Sequence, residues 1–524
     1  MIRLSNMADR FHYFEEPTLT FASGQRAEDP HDGLALFGAF DAREGLPSHV
    51  AIGTAQGLAL WHRWAESLNG PAACVDVSRH RPWPPYPGFE AAFGAEWPLP
   101  AKTYVLSAER LSAAATLAEK HDRTYAVTSQ YVDIASQINR LDEKPAMAIC
   151  VVPDEVYQNC RPNQSVSDPS DERKSRGEVR QIQSILDDRA SGQERMFTHS
   201  DPYETQDPSL EKYDLSPDFR RQLKARMMQH ELPVQIIKES TLAVTDKIRD
   251  GEKGANPLSD RLWNFSTGIF YKCGRKPWVL DSTREGVCYI GLAYKRANSG
   301  RTACCAAQLF LDSGDGLVFV GDFGPWYSLK EREFHLSEKA AHALLSGALK
   351  TYAEQGGRPL KEIFLHARSG LNEEEFNGFR QACPDNVNLV GIRVRKDRLG
   401  PRLFRHDAHP VTTRRGMYPV LRGVFWQRTK TEGFLFTTGF KQRIAAYDGW
   451  EVPVPLGITL QHGDGDIVTI ARDILGLTKA NYNACQLGES EPITVKYSDR
   501  VGEILLSNPE LPKEKWQHNF KYYI

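Results

Sequence analysis

The chain has 524 residues, of which 41% are hydrophobic and 25% charged, so it has the composition of an ordinary globular protein and is long enough for two or three domains. It has no apolar run near the roughly 18 residues of a membrane span, and MIRLSNMADRFHYFEEP contains acids where a signal peptide needs an apolar stretch, so we expect neither export nor membrane insertion. Its nine cysteines are scattered without a CxxC pair, which favours a reducing cytoplasm over disulfides or a zinc site.

The net charge of -2 conceals a strongly basic segment. Between Arg393 and Arg443, thirteen lysine or arginine residues stand against three acids, whereas residues 168–218 are polar and lean towards acidic. A protein with balanced totals and one basic segment can bind a polyanion locally and remain soluble.

The first half of the chain predicts an arm followed by alternating strands and helices. Residues 15–41 alternate short apolar runs with turn residues such as DPHDG, which predicts strands and loops packed on a larger body. Residues 50–70 predict an apolar strand and then an amphipathic helix, and residues 147–157 and 232–242 supply further buried strands. Strands that alternate with helices indicate a parallel α/β sheet.

The pattern of alternating strands and helices is interrupted and does not continue in the second half of the chain. A polar stretch at residues 162–217, low in large apolar side chains, predicts a solvated insertion. The second half then predicts a strand at 286–296, a hairpin at 304–323, an amphipathic helix at 337–357 and a strand at 361–370. A hairpin followed by a helix and another strand is the beginning of an RNase H-like layout.

A candidate anion site is spread over the middle of the chain. Arg220 and Lys224 are four residues apart on a predicted helix and therefore lie on one of its faces. Gln235 follows on a predicted strand, and Lys272 lies in the helical stretch WNFSTGIFYKCGRKPW. Three cations and an amide donor that converge at a helix end would suit a terminal phosphate with two negative charges. The alternative from the residues alone is a solvated basic helix face beside a glutamine at the edge of the core.

The basic segment at residues 393–443 is a candidate nucleic-acid surface. Its cations are interleaved with aromatic residues, a mixture that can follow a phosphate backbone and stack on bases. The candidate contacts to a duplex backbone are Arg393, Arg395, Arg414, Arg415, Arg422, Arg428 and Lys441. The alternative is a set of β-strands with one basic, solvated face.

Carboxylates are missing where a metal-dependent nuclease of the RNase H-like class would need them. Such nucleases use several convergent acids to hold two divalent ions about 4 Å apart. The strand YIGLA ends at Ala293 without an acid, and the later strand reaches Ser369 where an aspartate would be wanted. Asp499 remains as a lone carboxylate, so we expect no catalytic residues in this chain.

At these positions the sequence resembles the short prokaryotic Argonautes, and the similarity runs along most of the chain. EEPTLTFASGQRAEDPHDGLALFGAFD and VVPDEVYQNCRPN resemble segments of the subgroup that partners NAD-degrading effectors. The order and spacing of Arg220, Lys224, Gln235 and Lys272 resemble the pocket of the family's MID domain for the 5′-phosphate of a guide. YIGLAYKR and LHARSG resemble the first two strands of its PIWI domain, with alanine and serine in place of the two catalytic aspartates.

The resemblance implies a Rossmann-like MID domain followed by an RNase H-like PIWI domain, both of the α/β class. We expect residues 1–45 to pack on PIWI, residues 46–275 to form MID with the 162–217 insertion, and residues 276–524 to form PIWI. The ending HNFKYYI resembles family tails whose last residue enters the guide pocket. The resemblance therefore implies that the terminal carboxylate of Ile524 helps to hold Mg²⁺ against the guide phosphate.

The resemblance also implies partners. They are a 5′-phosphorylated guide RNA, a single-stranded target DNA, and an effector protein with an APAZ region, TIR-APAZ in the first place and Sir2-APAZ in the second. The implied function is a cytoplasmic sensor of a prokaryotic immune system, which leaves its target uncut and activates the NAD-degrading effector when the target pairs with the guide. Two alternatives stay open: a guide-directed DNA endonuclease that uses acids such as Asp312, Glu333 or Asp499, and a nucleic-acid-binding protein without an effector.

Overall fold

We describe the fold from a computed structural model of the chain. The described residues are 10–74, 83–162, 215–242, 256–281, 284–294, 305–310, 316–320, 326–328, 333–354, 358–407, 416–442, 447, 452–508, 511 and 515–524. Within these ranges, no helix is long and apolar enough to cross a membrane. Most of the insertion predicted at residues 162–217 lies outside them.

Strands and helices alternate along the first half of the chain, and strands dominate the second. The strands are β1 (Phe11–Tyr13), β2 (Leu19–Thr20), β3 (Arg26–Ala27), β4 (His49–Thr54), β5 (Lys102–Leu106), β6 (Met147–Val152), β7 (Val234–Lys238), β8 (Val279–Leu280), β9 (Val287–Tyr294), β10 (Cys305–Phe310), β11 (Gly316–Val320), β12 (Trp326–Ser328), β13 (Glu333–His335), β14 (Glu362–Ala367), β15 (Asn388–Lys396), β16 (Phe404–Asp407), β17 (Gly416–Pro419), β18 (Val424–Gln427), β19 (Glu432–Leu435) and β20 (Leu456–His462). The α-helices are α1 (Pro30–Phe37), α2 (Ala55–Asn69), α3 (Phe89–Phe93), α4 (Ala108–Ala115), α5 (Lys120–Ile138), α6 (Asp154–Asn159), α7 (Phe219–Met227), α8 (Leu258–Lys272), α9 (Glu338–Glu354), α10 (Glu373–Ala382), α11 (Ile467–Leu477) and α12 (Ile493–Leu505).

A four-stranded parallel sheet organises the first half, in the order β5-β4-β6-β7. Every residue of β4 and β6 is buried, because these strands lie in the middle of the sheet. Their alternate residues enter two separate apolar cores, one on each face. The predicted strand and helix at residues 50–70, the strands within 147–157 and 232–242, and the parallel sheet are confirmed.

The second half is built around a nine-stranded mixed sheet in the order β1-β18-β19-β20-β15-β14-β9-β10-β11. β9, β14 and β15 run parallel at its centre, whereas β10 and β20 flank them in the antiparallel direction. Helix α12 crosses β9 so closely that a Cβ at Gly291 would meet the main chain of Thr494, so only glycine fits there. The predicted hairpin at 304–323, the helix at 337–357 and the strand at 361–370 are confirmed by β10-β11, α9 and β14.

The N-terminal segment is joined to this second half by strands and by a buried ion cluster. β1 pairs antiparallel with β18, and β2 pairs with β8. Between them, Glu16 accepts hydrogen bonds from Arg422 (2.8 Å) and Lys479 (3.0 Å). Burial alone would raise the pKa of Glu16, but the two cations outweigh burial and lower it. The segment is therefore held by charge as well as by strand pairing.

One element of the N-terminal segment differs from the sequence prediction. Residues 15–41 predict strands and loops, and that prediction is wrong for Pro30–Phe37, which form helix α1. Asp29 accepts a hydrogen bond from the main-chain nitrogen of His31 and so caps the helix, while Pro30 stands in its first turn. The Asp-Pro pair, which suggests a turn in isolation, starts a helix here.

Candidate functional site

A cavity of about 320 Å³ lies where residues from the two halves of the chain meet. Arg220 and Lys224 of α7, Gln235 of β7, Lys272 of α8 and Ile524 all line it. The other lining residues are Tyr157, Ile236, Ile237, Lys238, Thr241, Asn256, Arg261, Asn264, Phe265 and Asn483. The residues that the sequence suggested as an anion site are thus brought together in one place.

Local structure explains how the cations converge. Asp218 caps α7 by accepting a hydrogen bond from the main-chain nitrogen of Arg221, and the helix then places Arg220 and Lys224 one turn apart. Lys272 is the last residue of α8, where the helix dipole favours a cation.

Lys272 is 1% exposed, and two oxygen atoms hold its ammonium group. Its Nζ donates to the main-chain oxygen of Val234 (3.0 Å) and to the side-chain oxygen of Gln235 (2.6 Å). Burial, followed by repulsion from Arg220, lowers the pKa of Lys272 to about 7. The side chain is therefore only partly protonated near neutral pH, and a bound anion would favour its charged form.

Lys224 lies in a similar environment and is 6% exposed. Its Nζ donates to the main-chain oxygens of Ile524 (2.5 Å) and Tyr523 (3.2 Å). Burial and repulsion from Lys272 and Arg220 lower the pKa of Lys224 well below its usual value. Among the described residues that line the cavity, none is an aspartate or glutamate. The cavity therefore has an excess of positive charge that an anion would neutralise.

A magnesium ion fits this cavity only together with an anion. Mg²⁺ is commonly bound by one or two carboxylates together with phosphate oxygens of the ligand. Ile524 and Asn483 of the lining carry oxygen atoms, whereas its lysine and arginine side chains would repel a lone cation. Phosphate oxygens would supply the negative charge that the lining side chains do not.

Six of the seven predicted duplex contacts fall into three groups. The exposed residues are Arg395 and Arg428, the half-buried ones are Arg393 and Lys441, and the ones outside the described residues are Arg414 and Arg415. The exposed cations can meet a phosphate backbone without any rearrangement of the protein.

Arg422, the seventh predicted contact, is 3% exposed. Its guanidinium donates to Glu16, to the main-chain oxygen of Thr437 and to Oγ1 of Thr478 (2.7 Å). A Cβ at Gly488 would collide with this guanidinium, so the group is tightly enclosed. The prediction of a duplex contact is wrong for Arg422, because its charge is used inside the protein to hold the N-terminal segment.

The two positions expected to have lost catalytic aspartates lie at one edge of the nine-stranded sheet. β9 and β14 are parallel neighbours with Leu292 opposite Ala367, so Ala293 and Ser369 both stand at the carboxyl ends of these strands. Ala293 is buried. This edge is where an RNase H-like nuclease would assemble its metal ligands.

Arginine side chains pair with the acids near this edge. Glu333 pairs with Arg393, and Asp499 pairs with Arg368. Asp312, the third acid considered for an endonuclease, lies outside the described residues. In the part of the chain that the structure describes, no group of three or more His, Cys, Asp or Glu side chains could hold a metal ion.

Sequence reasoning missed several residues of the cavity. Arg261 and Asn264 lie on α8 at helical spacing from Lys272, so the face of this helix was a usable signal. Asn483 comes from the loop between α11 and α12, and no local pattern in the sequence connects it with the other lining residues.

Comparisons with solved structures identify the fold. The chain is similar to Clostridium butyricum Argonaute bound to a guide DNA and a 19-mer target DNA, with a TM-score of 0.61 and 16% identity over 98% of this chain and 55% of that one. The fold is that of Argonaute proteins. Drosophila Piwi (TM-score 0.57, 12% identity) and Aquifex aeolicus Argonaute (TM-score 0.53, 14% identity) are also similar. Each match covers 98% of this chain and 56% of the other protein's chain. No protein-family model and no curated protein matches the sequence.

The Argonaute fold confirms the predicted α/β class with a MID-like and a PIWI-like part. The chain spans about half the length of the solved proteins that it matches. At identities of 12–16% the likeness establishes the fold alone, so the function has to be inferred from the geometry of the cavity.

Proposed function

We propose that this chain is a guide-dependent nucleic-acid sensor that binds a 5′-phosphorylated guide RNA and captures a complementary single-stranded DNA. The observation that carries the proposal is the convergence of Arg220, Lys224, Gln235 and Lys272 on one cavity whose described lining has no acidic side chain. Buried ammonium groups that repel one another are unfavourable in the free protein, and an anion with two charges relieves that repulsion. A terminal phosphate is the part of a nucleic acid that carries such a charge.

The Argonaute fold supports this proposal, since the C. butyricum protein is bound to a guide DNA and a target DNA. In this chain the exposed Arg395 and Arg428 would contact the backbone of the guide-target duplex. Sequence specificity would come from base pairing between guide and target, with the protein recognising charge and shape.

We expect Mg²⁺ to enter the cavity with the guide. Where Ile524 is the last residue of the mature protein, its carboxylate and the guide phosphate would share the ion, which neutralises two neighbouring anions. Lys224 fixes the main-chain oxygen of Ile524 and so orients this group. A chelator should therefore weaken the binding of a 5′-phosphorylated guide more than that of a 5′-hydroxyl guide.

Target capture tests the proposal. Protein loaded with a 5′-phosphorylated RNA should retain labelled complementary DNA through gel filtration, and protein loaded with a scrambled guide should not. Equal retention with both guides would leave only sequence-independent binding and would reject the sensor function.

We further propose that the captured target is not cleaved. Ala293 and Ser369 stand at the carboxyl ends of β9 and β14, and the nearby Glu333 and Asp499 are paired with arginines. The alternative is a guide-directed endonuclease. Cleavage of guide-matched DNA by pure protein with Mg²⁺ or Mn²⁺, lost in Asp499→Asn, would favour that alternative.

We also propose that target capture activates a separate NAD-degrading effector, with TIR-APAZ ahead of Sir2-APAZ. The support is the resemblance of residues 15–41 and 151–163 to segments of the short prokaryotic Argonautes that partner NAD-degrading effectors. Such an effector would deplete NAD and halt an infected cell.

The effector coupling has its own test. The complex co-expressed with its effector should degrade NAD faster with complementary DNA than with scrambled DNA, and equal rates would reject the coupling. A pulldown that recovers no APAZ-bearing protein would favour the alternative of a nucleic-acid-binding protein without an effector.

A further inference from the structure

The tail, residues 515–524, runs from the edge of the nine-stranded sheet to the cavity. It begins beside β11, which stands last in the order of that sheet. The main-chain nitrogen of Val318 in β11 donates to the main-chain oxygen of His518 (2.7 Å), and Nδ1 of His518 donates to the main-chain oxygen of Val318 (2.9 Å). A pair of hydrogen bonds therefore joins the tail to the outer side of β11.

Two aromatic side chains fix the path of the tail beyond β11. Phe520 is buried and packs edge-on against Tyr497 of α12, with the ring centroids 4.7 Å apart. The hydroxyl of Tyr522 donates to the main-chain oxygen of Glu231 (3.2 Å), in the turn between α7 and β7. Glu231 has a φ of 54°, a left-handed conformation that favours glycine and is strained for a residue with a side chain. The tail thus holds a strained turn that connects two elements of the cavity.

At its far end the tail holds Lys224 of the cavity. The Nζ of Lys224 donates to the main-chain oxygens of Tyr523 (3.2 Å) and Ile524 (2.5 Å). An ammonium group has three N–H donors, so two fixed acceptors set the direction of the third. The same acceptors offset part of the cost of burying a charged side chain that is 6% exposed. The position of the tail therefore decides both the direction and the charge of Lys224.

We propose that Val318 and His518 are positioning residues for phosphate recognition: they fix the tail to β11, and the tail fixes Lys224 in the geometry that binds the guide phosphate. A tail released from β11 would have to be ordered when the guide binds, and the lost conformational entropy would weaken binding. Lys224 would also lose fixed acceptors, which favours its neutral form. The inference rests on the proposed function, because that function places a phosphate beside Lys224.

Two substitutions release the tail from β11. The N–H of Val318 points away from β10, so Val318→Pro removes the contact with His518 and leaves the hydrogen bonds between β10 and β11 in place. His518→Ala removes the other hydrogen bond of the pair. Each substitution should lower the ratio of affinities for 5′-phosphorylated and 5′-hydroxyl RNA roughly 3- to 10-fold. A general loss of structure would weaken the binding of both RNAs and leave their ratio unchanged.

Matched substitutions at the same positions keep the hydrogen bonds. Val318→Ala shortens the buried side chain but retains the main-chain N–H, and His518→Asn retains an N–H donor close to the position of Nδ1. Both variants should keep the wild-type ratio of affinities. Hydrogen exchange gives a second measurement that needs no substitution. In the wild-type protein, 5′-phosphorylated RNA should slow the exchange of the Val318 N–H more than 5′-hydroxyl RNA does.

The wild-type protein separates a failure of this inference from a failure of the proposed function. If the wild-type protein bound both RNAs equally, the proposed function itself would fail. If it preferred the phosphorylated RNA, and Val318→Pro and His518→Ala kept that preference, only the positioning role would be overturned. A ratio that fell as far in Val318→Ala as in Val318→Pro would also overturn it, because side-chain packing and not the hydrogen bond would then be responsible.

Discussion

Arg220→Gln removes one charge from the cavity without breaking a contact. Arg220 is exposed, lines the cavity, and has no ion-pair partner among the described residues. A hydrogen bond to a charged group contributes about 1.5–3 kcal/mol. We expect the lower end, because Arg220 is screened by solvent and because its removal relieves the repulsion that lowers the pKa of Lys272. A loss of about 1.5 kcal/mol corresponds to a roughly tenfold weaker affinity for a 5′-phosphorylated guide.

Fluorescence anisotropy with 5′-phosphate and 5′-hydroxyl versions of one guide isolates this contact. The ratio of the two affinities should fall roughly tenfold in Arg220→Gln. Arg221→Gln is the matched control, because Arg221 is the next residue on α7, pairs with Glu503 (2.9 Å) and does not line the cavity. It removes the same charge and should leave the ratio unchanged. If the two variants behave alike, Arg220 does not contact the phosphate and the assignment of the cavity is wrong.

The remaining predictions concern pH and stability. Because burial lowers the pKa of Lys272 from 10.5 to about 7, affinity for a 5′-phosphorylated guide should fall as pH rises above 7. The free energy of unfolding of the free protein should rise between pH 7 and about 10.5, where the unfolded state binds more protons than the folded state. Burial lowers the pKa of His49 from 6.5 to about 4, so stability in urea should fall as pH drops through that window, by at most about 1.4 kcal/mol per pH unit. Glu16→Gln leaves Arg422 and Lys479 buried without their carboxylate and should lower the free energy of unfolding by about 3–5 kcal/mol.

Each of these predictions has a control. Lys272→Met should reduce the pH dependence of phosphate recognition, and an unchanged dependence would assign it to Lys224, whose pKa is also lowered. His49→Phe should reduce the loss of stability in acid. Glu354→Gln removes an exposed carboxylate that pairs with Lys350 (3.9 Å) and should change stability by less than about 0.5 kcal/mol. If Glu16→Gln were as mild as Glu354→Gln, the buried ion cluster would not stabilise the N-terminal segment.

Elements with a strong local pattern could be predicted from the sequence. The apolar residues are continuous along β4 and recur with helical periodicity along α2, and the change falls at Thr54. The side chain of Thr54 accepts a hydrogen bond from the main-chain nitrogen of Gly57 and so caps α2. Arg220 and Lys224 could be paired because a helix fixes their relative positions. The grouping of Gln235 and Lys272 with them was only one of two interpretations of the residues, and a family resemblance favoured it, since the spacing of residues on separate elements carries no local signal.

Features that depend on distant contacts could not be predicted. Arg422 is buried because it donates hydrogen bonds to Glu16 and Thr478, which are far from it in sequence. The sequence of the basic segment at residues 393–443 does not indicate which of its cations is buried. The pairing of Arg368 with Glu491 and Asp499 is set by how α12 crosses the sheet. The residue types at Asp29-Pro30 favour a turn when they are considered alone. The helix that begins at Pro30 depends on the packing of the apolar residues that follow.

The central claim is that the cavity beside α7 and α8 recognises the terminal phosphate of a short nucleic acid. Its most direct test is the affinity of the wild-type protein for one short RNA prepared with a 5′-phosphate and with a 5′-hydroxyl, at one salt concentration. We predict that the phosphorylated RNA binds at least roughly tenfold more tightly. Equal affinities for the two RNAs would contradict the claim.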